Sequence, residues 1–334
     1  MMKLSVSTWL GLGIITIVLL CSCASENKST TSNGFTTTAG RLLDANGQPF
    51  IIRGVNVPHA WFEEPSYEAL RAIAAHDVNC VRIVWEATLP PAKLERIIQR
   101  CVNLKMIPML ELHDATGDTS AMKLLSLARY FTSAEMLQML KKYERYVLVN
   151  IANEWGDHSV TGIFWSEAYQ KCVSLMREAG YTSTIVIDAP GWGQNIQPII
   201  DYGQQLVEFD SQHNLLFSIH MYGSWNDENV IERKLNEVSA ADLPLVVGEF
   251  GYCFNSGDNN LGCKVNHREI MQCCEDLDMG YLAWSWTGNN AENRWLDLVE
   301  YTDWKTLTWW GKEVFYSPHG ISNTAVKASV FTEE

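Results

Sequence analysis

The sequence predicts a single (β/α)8 barrel preceded by a short β-hairpin. Eight short apolar runs rich in β-branched residues recur along the chain, with helix-like stretches between them. Nearly every run ends in polar or charged residues, which gives the units a common direction. Strands alternating with helices imply a parallel sheet with crossover helices, and eight such units favour a closed barrel over an open doubly wound sheet. A chain of 334 residues has room for two average domains, but equally for one barrel.

Residues 1–22 stand apart from that fold. Lys3 is the sole charge before Glu26, and residues 10–20 are almost wholly apolar, the pattern of a secretory signal. The uncharged stretch is also long enough for a membrane anchor, which is one alternative, and free secretion is the other. Leu20-Cys21-Ser22-Cys23 resembles the lipobox of bacterial lipoproteins, which implies cleavage before Cys23, lipidation there, and export to the bacterial cell envelope. Cys21 fits less well, because Val18-Leu19-Leu20 lacks the small residue before the cleavage point. Residues 23–39 then form the lipidated start and a flexible tether, and residues 40–334 the folded domain. Of nine cysteines, seven lie outside the lipobox, an odd number for an exported chain. Cys253 and Cys263 bracket a Gly/Asn-rich loop and are the expected disulfide. A zinc site from Cys253, Cys263, Cys273 and Cys274 is the weaker alternative, since no Cys-x-x-Cys is present.

The hairpin is expected over residues 41–45 and 48–51, turning at Asn46-Gly47. The barrel strands are expected at 51–57, 80–85, 107–113, 147–153, 184–188, 215–221, 245–250 and 281–286. Helical patterns cover 66–76, 91–105, 133–142, 164–179, 226–239 and 265–279. A weaker one at 194–202 is interrupted by Pro198.

The ends of the strands carry the chemistry. Arg82, His113, Asn153-Glu154, Asp188, His220, Tyr222, Glu249 and Trp284-Ser285-Trp286 lie at or near them. In such a barrel the C-terminal strand ends converge on one mouth, where active sites sit. Single polar residues there are easily explained by packing. So many together are not, because buried charges are costly unless paired. Glu154 and Glu249 end the fourth and seventh runs, across the mouth from each other. Paired carboxylates flanking a cleft suit glycoside hydrolysis, one giving a proton to the departing oxygen and the other attacking carbon or activating water.

Other function classes fit less well. With 25 Lys+Arg against 39 Asp+Glu and a net charge of −14, the chain lacks the basic surface of a nucleic-acid binder. It shows no GxGxxG after the first strand, no GxxxxGK[ST], and no GxSxG nucleophile elbow. A metal set of His113, Asp114, His220 and Glu249 is conceivable, but the tryptophans beside it would be odd neighbours for a hydrated ion. The expectation is an enzyme with neither metal nor cofactor. The 13 Trp and 12 Tyr suit stacking on sugar faces as well as core packing.

Asn153-Glu154-Trp155-Gly156 and Gly248-Glu249-Phe250-Gly251 resemble the two catalytic motifs of glycoside hydrolase family 5. The likeness extends, in order, through Arg53-Gly54-Val55-Asn56, His59-Ala60-Trp61, residues 79–84, 112–117, 188–194 and 217–222, and Leu282-Ala283-Trp284-Ser285-Trp286. Together these resemble the bacterial endo-β-1,4-mannanases of that family, over about residues 40–322. The resemblance implies retaining cleavage of mannan, glucomannan or galactomannan, with Glu154 as acid/base and Glu249 as nucleophile. It places supporting roles on Arg82, His113, Asn153, His220 and Tyr222, and the sugar platform on Trp284. Arg82 is expected to keep Glu249 ionised, and Tyr222 to donate to it. Trp286, two residues on, is expected on the same face as Trp284. Trp61, Trp155, Trp192 and Trp225 are candidates for further stacking or for packing. Three loops depart from the pattern, at residues 86–91, 223–225 and 253–263, and they bear on substrate length and branching. An endo-β-1,4-glucanase or a mixed-specificity glycanase remains the alternative activity, and a non-catalytic glycan-binding lipoprotein the alternative class. The expected partner is a β-mannan chain bound by a monomer, with the membrane touched only through the lipid.

Overall fold

The computed structural model describes Met1, residues 33–258 and residues 264–332. The leader, Cys23 and Cys263 lie outside the described residues, so the expected Cys253–Cys263 pair and its zinc alternative each have one member there. Among the described residues no helix is long and apolar enough to cross a membrane.

The hairpin forms one turn earlier than the sequence pattern suggests. Strands β1 (Thr36–Thr38) and β2 (Arg41–Leu43) pair antiparallel about Ala39 and Gly40. Both turn residues have positive φ, 45° and 74°, as a tight two-residue hairpin turn requires. At Asn46-Gly47 the chain does turn back, but Leu43 and Pro49 form only an isolated bridge. Pro49 has no N–H to extend a ladder. Asp44 takes over that role, its Oδ1 accepting from the N–H of Asn46 at 3.0 Å and of Gln48 at 3.1 Å.

The barrel strands are β3 (Arg53–Val57), β4 (Cys80–Trp85), β5 (Ile107–Leu112), β6 (Leu148–Asn150), β7 (Ile185–Asp188), β8 (Leu215–Met221), β9 (Leu245–Phe250) and β10 (Gly280–Ala283). They pair in sequence order, all parallel, and β10 closes on β3. Around them run α1 (Glu63–Ala74), α2 (Pro91–Asn103), α3 (Ala121–Phe131), α4 (Ala134–Lys142), α5 (Gly162–Glu178), α6 (Gln197–Phe209), α7 (Glu228–Ala240), α8 (His267–Asp276), α9 (Trp309–Tyr316) and α10 (Ile321–Thr324). In α2, Leu94, Ile97, Ile98 and Cys101 are buried at helical spacing, and Pro91 opens the helix where its missing N–H is harmless. Pro198 does the same for α6, so it starts that helix instead of interrupting it. Helices α3 and α9 are absent from the sequence expectation. Each is capped, by Ser120 Oγ accepting from Lys123 N and by Thr308 Oγ1 accepting from Gly311 N.

The inward face of the barrel has two layers. The lower one is apolar: Ile52, Cys80, Ile107, Met109, Leu148, Val186, Leu216, Val246 and Leu282. Phe35, Leu42 and Phe50 from the start of the domain, with Ala328 and Val330 from its end, belong to the same cluster and complete it. Two residues further along the strands the interior turns polar, with Asn56, Arg82, Glu111, Asn150, Asp188 and Ser218 all buried.

Candidate active site

Glu249 reaches the mouth through a bulge. Ile219 of β8 pairs with Val247 of β9, but His220 pairs with Glu249, so Gly248 is the extra residue. Val246 lies in the lower inward layer, three residues before Glu249. An odd spacing would normally put the two on opposite faces, and the bulge restores Glu249 to the inside. A Cβ on residue 248 would lie 2.3 Å from Ser218 Oγ and 3.0 Å from His220 Nε2, so any larger residue would displace a neighbouring side chain.

Glu154 is placed differently. Strand β6 ends at Asn150, and Glu154 sits beyond it with φ at +48°, a left-handed conformation unusual for a glutamate. Its N–H donates to Asp188 Oδ2 at 3.0 Å, and its carbonyl accepts from Gly117 N at 2.9 Å. Its carboxylate faces His220 Nδ1 at 2.8 Å. One oxygen of Glu154 and one of Glu249 lie within 4.8 Å of each other and of a ring nitrogen of His220.

Arg82 is the hub beneath them. Its Nη1 donates to Glu249 Oε1 at 2.8 Å and to Asn56 Oδ1 at 3.0 Å. Its Nη2 donates to Asn153 Oδ1 at 2.8 Å and to Asn150 Oδ1 at 2.9 Å. Asp188 and Glu111 complete its surroundings at 3.4 and 3.8 Å. Tyr222 donates its hydroxyl to the other oxygen of Glu249, at 2.8 Å. Both Glu249 oxygens therefore accept, which fixes the carboxylate plane. Asn153 Nδ2 donates to Thr116 Oγ1 at 2.8 Å, and His113 Nδ1 faces Glu111 Oε1 at 3.0 Å.

The titrations follow from this crowding. Burial pushes the Glu249 carboxyl above its ordinary value, against the pull of His220 and Arg82. The expected contact of Arg82 with Glu249 is present and favours the ionised form, with burial acting against it. Burial alone would lower His220, but Glu249, Asp188 and Glu154 outweigh that and lift it to about 9. His113 is likewise raised, with Glu111 overcoming its burial.

Above these groups opens a cavity of about 480 Å³, lined by His113, Thr116, Asn153, Glu154, Trp192, Gln194, Tyr222, Glu249, Trp284, Asn293, Trp295 and Leu296. A second hollow of about 390 Å³ also uses Trp284 and Asn293, and adds Trp61, Phe62 and Asn290. Trp284 is thus shared by two stretches of one surface depression. His113 lies against its ring at 5.9 Å between centroids, nearly parallel.

Two tryptophans expected to touch substrate do not. Trp155 is fully buried, donates Nε1–H to Ser120 O at 3.1 Å, and packs on Phe164 and Tyr169. Trp286 is fully buried too, and its Nε1–H goes to Trp304 O at 3.0 Å. The alternation argument fails for Trp286 because β10 ends at Ala283, ahead of both tryptophans. Trp225 is buried as well, whereas Trp61 and Trp192 are 46% and 37% exposed at the mouth. The metal set is not assembled either: Asp114 turns outward, accepting from Ala87 N at 2.9 Å. An ion between Glu154, His220 and Glu249 would compete with Arg82 for Glu249 and with the proton on His220. Sequence reasoning passed over Glu111, although Met109-Leu110-Glu111-Leu112-His113 places Glu111 on the same alternating face as His113.

Residues 43–290 match the family model described as cellulase, glycosyl hydrolase family 5. The mannan endo-1,4-beta-mannosidase of Salipaludibacillus agaradhaerens is 38% identical over 310 residues, covering 90% of this chain and 97% of that relative. A beta-mannanase from Thermomonospora fusca superposes with a TM-score of 0.82 at 35% identity, over 89% of this chain and 99% of the other. The mannohexaose complex of that enzyme superposes with a TM-score of 0.81 at 35% identity, with the same coverage.

Proposed function

This chain belongs to glycosyl hydrolase family 5, and on that premise we propose that it cuts internal β-1,4-mannosidic bonds of mannan, glucomannan or galactomannan with retention at the anomeric carbon. The observation that carries the mechanism is the approach of Glu154 and Glu249 to within 4.8 Å. Retaining enzymes hold their carboxyl groups at about 5–5.5 Å, while inverting ones leave roughly 6.5–9.5 Å for a water.

We assign Glu154 as acid/base and Glu249 as nucleophile. Arg82 and Tyr222 fix Glu249, so one oxygen lone pair is aimed into the cavity. In the first step Glu249 forms a bond to C1 as the C1–O bond to the leaving sugar breaks, and the Glu154 proton moves to that departing oxygen. In the second, Glu154 takes a proton from water as the water oxygen bonds C1, and Glu249 leaves with its electron pair. Trp284 offers its face to the sugar at the cleavage point, and Asn153, on the cavity wall, reaches toward a ring hydroxyl. Trp61 and Trp192 extend the contact along the chain.

The test is release of new reducing ends from linear β-1,4-mannan and from soluble cellulose. Release from mannan alone is expected. Release from cellulose alone moves the activity to the glucanase alternative, and silence on both removes the reading. For the rest of the chain we propose lipidation at Cys23 and anchoring in the cell envelope, supported by the lipobox-like sequence. Cys23→Ser should shift the protein from the membrane fraction to the soluble one, and unchanged fractionation would refute this. A monomer suffices, because every group named at the site comes from one barrel; a dimer in sedimentation would contradict it.

A further inference from the structure

We propose that Asp188, a residue that does not reach the cavity, is a positioning residue for the acid/base step, holding the main chain of Glu154 and the imidazole of His220 so that the Glu154 carboxyl meets the departing oxygen. The proposal rests on the reading of Glu154 as acid/base.

The starting point is the backbone of Glu154. A glutamate at φ +48° persists only when its surroundings over-determine it, and such residues cluster where geometry serves chemistry. Three contacts fix this one. Gly117 N holds the carbonyl at 2.9 Å, His220 Nδ1 faces the carboxylate at 2.8 Å, and Asp188 Oδ2 accepts the N–H at 3.0 Å. Asp188 makes the last of these and also bears on the second. Its Oδ2 forms an ion pair with His220 at 3.5 Å from Nε2, the ring atom opposite the one that faces Glu154. His220 Nε2 is buried and has no hydrogen bond of its own, so this ion pair is its polar contact. One carboxylate therefore grips the acid from behind, by its main chain and through the histidine that touches its side chain.

Asp188 is itself held. Its Oδ1 accepts from Asn150 Nδ2 at 3.0 Å, and Arg82 Nη2 lies 3.4 Å from Oδ2. The side chain is fully buried and takes no part in the cavity wall, so it cannot touch sugar. Both oxygens must accept at once, which explains an acid here rather than an amide. Asparagine would keep an oxygen toward Glu154 N only by turning its NH2 toward that of Asn150. Asn150 cannot turn in response, because its Oδ1 already receives Arg82 Nε at 3.1 Å and Nη2 at 2.9 Å.

The test uses the leaving-group dependence of kcat/KM, which reports the first step and which a merely structural role would not skew. Asp188→Asn and Glu154→Ala are compared on a β-mannan hexasaccharide and on an aryl β-mannobioside whose phenol needs little protonation. Glu154→Ala is expected to lose far more on the hexasaccharide than on the aryl substrate. Asp188→Asn should show the same skew in smaller size, about 10- to 100-fold on the hexasaccharide and under about threefold on the aryl substrate. The double variant should be no worse than Glu154→Ala on the hexasaccharide, because the two act as one unit. Equal losses for Asp188→Asn on both substrates, or no loss, would overturn the proposal. If Glu154→Ala itself shows no skew, the acid/base reading falls, and this inference with it. Should Asp188→Asn fail to fold, Asp188→Ser decides. It removes the carboxylate that meets both Glu154 N and His220 Nε2, so the same skew is expected, and its absence would refute the idea.

Discussion

The lower and upper layers of the barrel interior come from the same strands, on the same inward face, two residues apart, yet they are built on opposite principles. Cys80 is followed by Arg82, Met109 by Glu111, Leu148 by Asn150, Val186 by Asp188, and Leu216 by Ser218. Below the step the side chains are apolar and joined by Phe35, Leu42 and Phe50. That layer stabilises the fold by burial, at roughly 25 cal/mol for each Å² of apolar surface. Above the step an arginine, two histidines and four carboxylates share one small region, and each buried ion carries a desolvation penalty of several kcal/mol before pairing. The upper layer is poorly suited to stabilising the fold and well suited to holding charge in place. A change of polarity along one strand face thus separates the structural end of a barrel from its chemical end.

That contrast can be broken by substitutions on either side of the step. Glu249→Ala should reduce turnover by roughly 10⁴-fold or more. It should leave mannohexaose binding measurable by calorimetry and the melting temperature within a few degrees. The variant removes a carboxyl that burial already disfavours, and Arg82 keeps Asp188 and Glu111 nearby. A collapse in stability with it would mean the upper layer also carries the fold. Leu148→Ala, two residues below Asn150, should do the reverse. It should destabilise the protein by about 2–5 kcal/mol in denaturant titration. The kcat/KM of the folded fraction should stay close to that of the parent, and a large loss there would blur the division.

A smaller effect comes from pH. His220 is lifted to about 9 in the fold, above its ordinary 6.5, so the folded state binds that proton more tightly than the unfolded chain. Its contribution is fully present below about 6.5 and is lost as pH rises through about 9. Melting temperature should therefore fall between those values, and His220→Gln should flatten the slope, with His113 leaving a residual one. An unchanged slope in His220→Gln would show that the histidine is not held charged by its three carboxylates.

Much of this was legible in the sequence, and the failures have physical causes. Strands β4, β8 and β9 match their apolar runs residue for residue, because strands buried on both faces read as nearly continuous hydrophobic stretches. The site residues were found because polar side chains at strand ends stand out against such runs. Trp286 was misplaced because period-2 alternation holds only inside a strand, and β10 stops at Ala283. Trp155 follows Glu154 directly, but the left-handed turn at Glu154 sends its ring back into the core. Its place at the end of a run put Glu249 at the mouth, but alternation counted from Val246 assigns it to the outside, and the bulge at Gly248 is what turns it inward. The hairpin was displaced because Asn-Gly is a strong turn signal, while Ala-Gly, which makes the turn observed, is a weak one. Contacts such as those of Asp188 with Glu154 and His220 join separate strands, which no local pattern reveals.

The measurement that bears most directly on the central claim is proton NMR of the first product released from a linear β-1,4-mannan oligosaccharide, recorded before mutarotation. Two carboxyl groups this close, with Glu249 as nucleophile, require the new reducing end to appear as the β anomer and only later to drift toward equilibrium. Initial appearance of the α anomer would mean direct attack by water, and would contradict both the covalent step and the assignment of Glu249.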